Sequence, residues 1–218
     1  MQLVIGNKNY SSWSLRPWLL LAGFDVEFDE QWVSLQQPKL TERLLAISGS
    51  ARVPVLNDGA ICVWDSLAIC EYINETYLAN AGLPSDAEDR AVSRAISAEM
   101  HAGFGELRNE MPMNIRASRS IDMSEQCVKD IARVDEIWSS YARADEAGQL
   151  RMFGQFGIAD CMFAPVVMRF ATYQPVLSEA ASNYMQAMLS HPSLQRWVND
   201  ALQETEIVTD DEAGVDRD

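Results

Sequence analysis

Apolar and polar positions in the first 79 residues change period several times. Residues 2–6 (QLVIG) form an apolar run closed by Gly6 and predict a strand. A polar, serine-rich turn follows, and helical spacing then runs over 14–23, with Pro17 expected in the first turn and Gly23 at the left-handed carboxy-terminal position. The β-branched and aromatic residues of VEFDEQWVS (26–34) predict a second strand. Leu40, Leu44, Leu45 and Ile47 make a helical stripe over 40–47. VPVL (53–56) and AICVW (60–64), joined by NDG, predict a hairpin, and Leu67, Cys70, Ile73 and Tyr77 predict a helix over 65–79. This β-α-β-α-β-β-α order implies a four-stranded mixed sheet flanked by helices.

From Arg90 onward the spacing is helical, over about 90–110, 123–147, 157–173, 178–190 and 193–204. The polar, Gly/Pro-bearing stretch 80–89 (NAGLPSDAED) reads as a linker between a first domain (1–79) and an all-helical second one (90–204). Residues 205–218 are acidic and read as a mobile or surface-draped tail. By itself a length of 218 residues fits one large domain or two of about 100 residues each, at roughly 100–200 residues per domain.

Composition then removes whole classes of function. With 48% hydrophobic residues, wholesale disorder is excluded. A net charge of −15 argues against nucleic acid and anionic membranes, which select a basic face. Two histidines and four cysteines without C-x-x-C or H-E-x-x-H spacing argue against a metal site or a histidine-centred triad. The first ten residues have no basic stretch leading into an apolar run, and no run approaches the roughly 20 residues of a membrane span. The expectation is a protein of the reducing cytoplasm, with its cysteines as small buried apolar residues.

Three short segments carry candidate chemistry. Pro54 lacks a ladder donor, so it is expected at the start of an edge strand; a bend there, as at a cis bond, would free the N–H and C=O of Val53 for an extended peptide ligand. Asp65-Ser66 stands at a helix entrance, where Ser66 and the free first-turn N–H groups suit a carboxylate and Asp65 suits an ammonium. YSSWS (10–14) precedes another helix start and offers Ser11, Ser12 and Ser14 as hydroxyl donors. An ordinary edge proline and ordinary helix caps are the competing explanations. In 99–116, Met100, Phe104, Leu107 and Met111 lie on one apolar stripe, and His101 and Arg108 share a helix face.

YSSWSLRPW, RVPVL and WDSLAICEYI, in this order, resemble the glutathione S-transferase family over about residues 1–202. The resemblance implies a thioredoxin-like first domain, a helical second domain, glutathione as co-substrate, a small electrophile as second substrate, a homodimer and a detoxification role. It puts Val53, before Pro54, in main-chain contact with the cysteinyl part of glutathione, Asp65 and Ser66 on the γ-glutamyl group, and Arg52, assisted by Lys39, at the glycyl carboxylate. SSWSLR is similar to the zeta-class run Ser-Ser-Cys-Ser-Trp-Arg; counting back from Arg16 puts Ser11, with Ser12 as second choice, on the sulfur. Tyr10 is the tyrosine-type alternative. Trp13 stands where zeta and beta enzymes carry cysteine, which argues against a thiol reductase. Tyr10, Trp13, His101, Phe104, Arg108 and Met111 are the residues expected around the electrophile. GIAD (157–160) resembles the family's Ser/Thr-x-x-Asp capping box, with Gly157 replacing the hydroxyl residue and Asp160 in a structural role. The implied activity is conjugation through a serine hydroxyl. Its rivals are zeta-like cis/trans isomerisation of small dicarboxylates, which needs cations beyond Arg16 and Arg52 such as Arg108 or Arg116, and a binding module without turnover.

Overall fold

The structure is a computed structural model that describes residues 1–217. The first seven elements follow the expected order: β1 (Gln2–Ile5), α1 (Ser12–Gly23), β2 (Asp29–Trp32), α2 (Leu40–Leu45), β3 (Val55–Asp58), β4 (Ile61–Trp64) and α3 (Ser66–Thr76). The sheet order is β2-β1-β3-β4, with β1 parallel to β2 and antiparallel to β3, and β3 antiparallel to β4. This is the mixed four-stranded sheet that the element order implies, in the thioredoxin-like arrangement that the resemblance implies.

Several local expectations change. α1 begins at Ser12, because the turn from Asn7 closes early when the Ser11 N–H donates to the Asn7 carbonyl at 2.7 Å. Pro17 therefore lies inside the helix and not in its first turn. The left-handed residue after α1 is Asp25 (φ 52°), whereas Gly23 makes room for Phe156: a Cβ there would meet Phe156 Cε1 at 2.2 Å. β2 covers only four residues of the expected 26–34, the length of its pairing with β1. β3 is an interior strand, so Pro54 precedes a central strand and does not start an edge. Leu45 leaves the expected stripe and is 52% exposed.

In the second half, one expected helix over 90–110 is two, α4 (Ala87–Ala102) and α5 (Gly105–Glu110), broken where Phe104 takes φ 57°. A two-residue strand β5 (Arg119–Ser120) follows, and then α6 (Glu125–Tyr141). The expected helix end over 142–147 instead becomes a hairpin of β6 (Ala142–Ala144) and β7 (Leu150–Met152), turned through Gly148 at φ 78°. α7 (Ile158–Tyr173) is buried along nearly its whole length and packs against α1 and α4, forming the centre of an apolar core continuous with the sheet domain. α8 (Glu179–Leu189) and α9 (Pro192–Gln203) complete the helices, α9 with proline at its first position. The acidic tail takes the surface-draped form: its strand β8 (Val215–Asp216) pairs with β5, and Val208 is buried. No helix among the described residues is long and apolar enough to cross a membrane.

Asp160 accepts from the Gly157 N–H (3.0 Å), the Met152 N–H (3.0 Å) and the Tyr184 hydroxyl (3.0 Å). Complete burial raises its carboxyl to about 7 despite these donors. Its place is structural, between α7 and β7.

Candidate functional site

A cavity of about 470 Å³ lies where the loop before β3 meets the start of α3, with α4 on its far side. It brings together Arg52, Val53, Pro54, Asp65, Ser66, Trp13 and His101, which the sequence singles out, with Ser50 and Trp64, which it does not. The Val53–Pro54 peptide bond is cis. Among the described residues, neither the N–H nor the C=O of Val53 has a hydrogen-bond partner.

Asp65, and not Ser66, is the N-cap of α3: its Oδ1 accepts from the Leu67 and Ala68 N–H groups at 3.0 and 3.2 Å. The residue sits at φ 79°, a conformation that non-glycine residues rarely adopt. With Oδ1 occupied, the other oxygen faces outward, 3.0 Å from His101 Nε2. The Ser66 N–H has no partner among the described residues, and its hydroxyl oxygen accepts from Arg16 Nη1 at 3.3 Å. The hydroxyl proton is thereby left to donate, so a free backbone N–H, a hydroxyl donor and a carboxylate are set side by side at one helix start.

Trp13 forms another wall. The Arg16 guanidinium lies 4.2 Å and that of Arg108 5.5 Å from its ring centre, and the His101 ring meets it edge-on at 5.3 Å. Burial lowers Arg16 to about 9, and repulsion from Arg169 and Arg108 acts the same way; at neutral pH it stays charged. Arg169, buried in α7, donates to Ser12 Oγ at 3.2 Å and to the Arg108 carbonyl at 3.0 Å. No carboxylate is hydrogen-bonded to Arg16, Arg108 or Arg169 among the described residues. Sequence reasoning missed Arg169, although a single charge within the apolar run 161–173 was a signal.

The remaining candidates lie outside the cavity lining. Ser11 is buried, its hydroxyl 2.7 Å from that of Ser14, which accepts the Gly6 N–H at 3.2 Å. Ser12 is held by Arg169. The N–H groups of Trp13 and Ser14 in the first turn of α1 have no partners among the described residues. Tyr10 turns away under the tail, its hydroxyl bonded to Glu212 (2.6 Å) and Arg116 (3.0 Å); burial and the Glu212 carboxylate raise its pKa. Lys39 is 73% exposed and pairs with Glu42. Phe104 and Met111 are core residues, and Met111 touches the Cys127 sulfur. Arg108 does not run parallel to His101 along one helix: the break at Phe104 folds it back, and its Nη1 donates to the Met100 and His101 carbonyls, closing α4. A larger cleft of about 750 Å³ near the linker holds none of these residues, and its Arg90 is spent on the carbonyls of residues 84–86.

Comparison with known proteins matches residues 10–76 to the glutathione S-transferase N-terminal domain. Glutathione S-transferase 1 of Dianthus caryophyllus is 26% identical over 179 residues, 79% of this chain and 78% of the relative. A probable maleylacetoacetate isomerase of Caenorhabditis elegans is 26% identical over 156 residues, 72% of each. A glutathione transferase homolog from Burkholderia gl BGR1, solved with bound glutathione, shares the fold at a TM-score of 0.70 and 23% identity, over 92% of this chain and 97% of that one.

Proposed function

We infer that the chain belongs to the glutathione S-transferase family, and from that premise we propose that it binds glutathione in the cavity at the start of α3 and activates the thiol through Ser11 or Ser12. The supporting observation is that the unpaired N–H and C=O of Val53 share one cavity with the free N–H of Ser66 and the carboxylate of Asp65. Val53 would pair with the cysteinyl main chain. Ser66 would donate to the γ-glutamyl carboxylate while Asp65 accepts from its ammonium, and Arg52 would meet the glycyl carboxylate.

The chemistry needs a thiolate and no general base. A free thiol has a pKa of about 8.5, and lowering it by roughly two units corresponds to about 2.7 kcal/mol. One charge-assisted hydroxyl bond supplies about 1.5–3 kcal/mol of that. The free first-turn amides of α1 and the buried charge of Arg16 act in the same direction. The serine stays protonated and donates; the thiolate sulfur attacks the electrophile, forming a carbon–sulfur bond as the leaving group departs with its electron pair or the adduct takes up a proton. Conjugation assayed against pH tests the assignment: Ser11→Ala or Ser12→Ala is expected to move the midpoint upward, and no movement in either variant refutes a serine mechanism.

The second reading, glutathione-dependent cis/trans isomerisation of a small dicarboxylate, draws on Arg16 and Arg108 beside Trp13 and Arg169 on Ser12, three cations without bonded carboxylates. Arg116, the other candidate, is already spent on Tyr10 and the tail carbonyls. A panel of electrophiles and cis-dicarboxylates separates the two readings: in an isomerase, Arg108→Gln abolishes isomerisation and spares glutathione binding. Glutathione binding without turnover of any panel member would mark a binding module. We also propose a cytoplasmic homodimer with a detoxifying role. The edge strand β4, paired only with β3, leaves Ile61 and Trp64 about half exposed, and sedimentation tests the assembly.

A further inference from the structure

The loop between β1 and α1 carries three polar residues that the fold buries, Asn7 (0% exposed), Lys8 (6%) and Asn9 (0%). Their partners come largely from the helical half and the chain beyond α9. Through its two oxygens the Glu204 carboxylate accepts the Lys8 N–H at 2.7 Å and the Asn9 N–H at 2.9 Å. Trp197 Nε1 donates to the Lys8 carbonyl at 2.9 Å, and the Arg116 N–H donates to Asn9 Oδ1 at 2.9 Å. Asn7 Nδ2 donates to Glu206, whose carboxylate also takes the Ser34 hydroxyl at 2.7 Å. Arg116 closes the arrangement by donating to the carbonyls of Glu204 and Glu206. The Ser11 N–H hangs on the same loop through the Asn7 carbonyl.

We propose that Glu204, seconded by Glu206, is a positioning residue for the thiol-activating serines. It fixes the loop from which α1 starts, and so sets where the hydroxyls of Ser11 and Ser12 stand relative to the sulfur. This rests on the serine reading above. Two adjacent backbone N–H groups on one carboxylate make a charge-assisted clamp, and a displacement of ~1 Å at a reacting group costs up to about a hundredfold in rate. The clamp crosses from one half of the protein to the other, so the helical half takes part in placing the hydroxyls. Glutamine at 204 keeps the size of the side chain but turns an N–H2 toward a backbone N–H, and one clamp bond must break.

The test uses the full chain with Glu204→Gln, the half-buried Glu206→Ala, and Trp32→Phe, which removes only the third hydrogen bond of the Glu204 carboxylate, at 3.2 Å. Three readouts are compared: amide exchange over residues 7–12, the pH profile of conjugation, and the KM for glutathione. Glu204→Gln is expected to speed exchange at Lys8 and Asn9, lower kcat about tenfold and move the pH midpoint upward, with KM nearly unchanged because Val53, Asp65 and Ser66 sit on other elements. Glu206→Ala should do the same to a smaller degree, and it carries the test where Glu204→Gln fails to fold; Trp32→Phe should change nothing. Unchanged exchange in the glutamate variants overturns the proposal. So does faster exchange with an unmoved pH profile while a serine variant moves it. If neither serine variant moves the profile, the serine reading itself has failed and the positioning role falls with it.

Discussion

His101 Nε2 lies 3.0 Å from Asp65 Oδ2, joining α4 of the helical half to the residue that caps α3 in the sheet domain. Asp65 Oδ1 is committed to two backbone N–H groups, so His101 borders the one oxygen left for a ligand ammonium. His101→Ala removes that contact and the edge-on partner of Trp13. A contact worth about 1 kcal/mol predicts a roughly fivefold rise in the KM for glutathione, with kcat within about twofold. An unchanged KM would mean that His101 only fills space.

Ser66 is the sole hydrogen-bond partner of the Arg16 guanidinium among the described residues. Ser66→Ala leaves a buried charge without one and removes a donor to the γ-glutamyl carboxylate. Two effects are expected together: a stability loss of about 1–3 kcal/mol in urea unfolding and at least about a tenfold rise in the KM for glutathione. Stability loss with normal glutathione affinity would separate Ser66 from the ligand.

Gly157 departs from the hydroxyl residue of the family's capping box for a steric reason. A Cβ at 157 would meet the Gly82 carbonyl oxygen at 2.5 Å, and that same oxygen accepts the Ile158 N–H at 2.9 Å. Gly157→Ser, which on local rules supplies an N-cap, is therefore predicted to lower Tm, because backbone has to move. A rise in Tm would refute the close contact.

His191 caps α9, its Nδ1 accepting the Ser193 N–H at 3.2 Å, and stacks on Phe156 at 4.4 Å. Burial, with Arg151 and Arg196 nearby, lowers its pKa from 6.5 to about 4. The folded state thus favours the neutral ring, so the contribution is complete above 6.5 and is lost as pH falls from 6.5 toward 4. His191→Asn keeps an N-cap acceptor and should flatten the acid side of a Tm-against-pH curve, with a lower plateau from the lost stacking. An acid limb identical in both proteins would exclude His191 as its source.

The helix start at Asp65-Ser66, the special turn at Pro54 and the hairpin through Gly59 are set within a few residues of chain, and the sequence alone determined where they fall. The same locality made β1 to α3 legible in order. Element ends were less legible because they answer to partners: β2 stops where β1 stops, and the run 90–110 breaks across Gly103-Phe104-Gly105, where the two glycines permit a break that the helical spacing on either side obscures. Only the tertiary structure decided that Tyr10 turns under the tail to Glu212, that Arg169 reaches Ser12, and that Glu204 clamps Lys8 and Asn9. Each of these bonds joins residues more than 150 positions apart, so neither period nor spacing along the chain encodes it. What selects them is the requirement that polar groups carried into the interior meet partners there, and those partners are chosen by how the two halves pack.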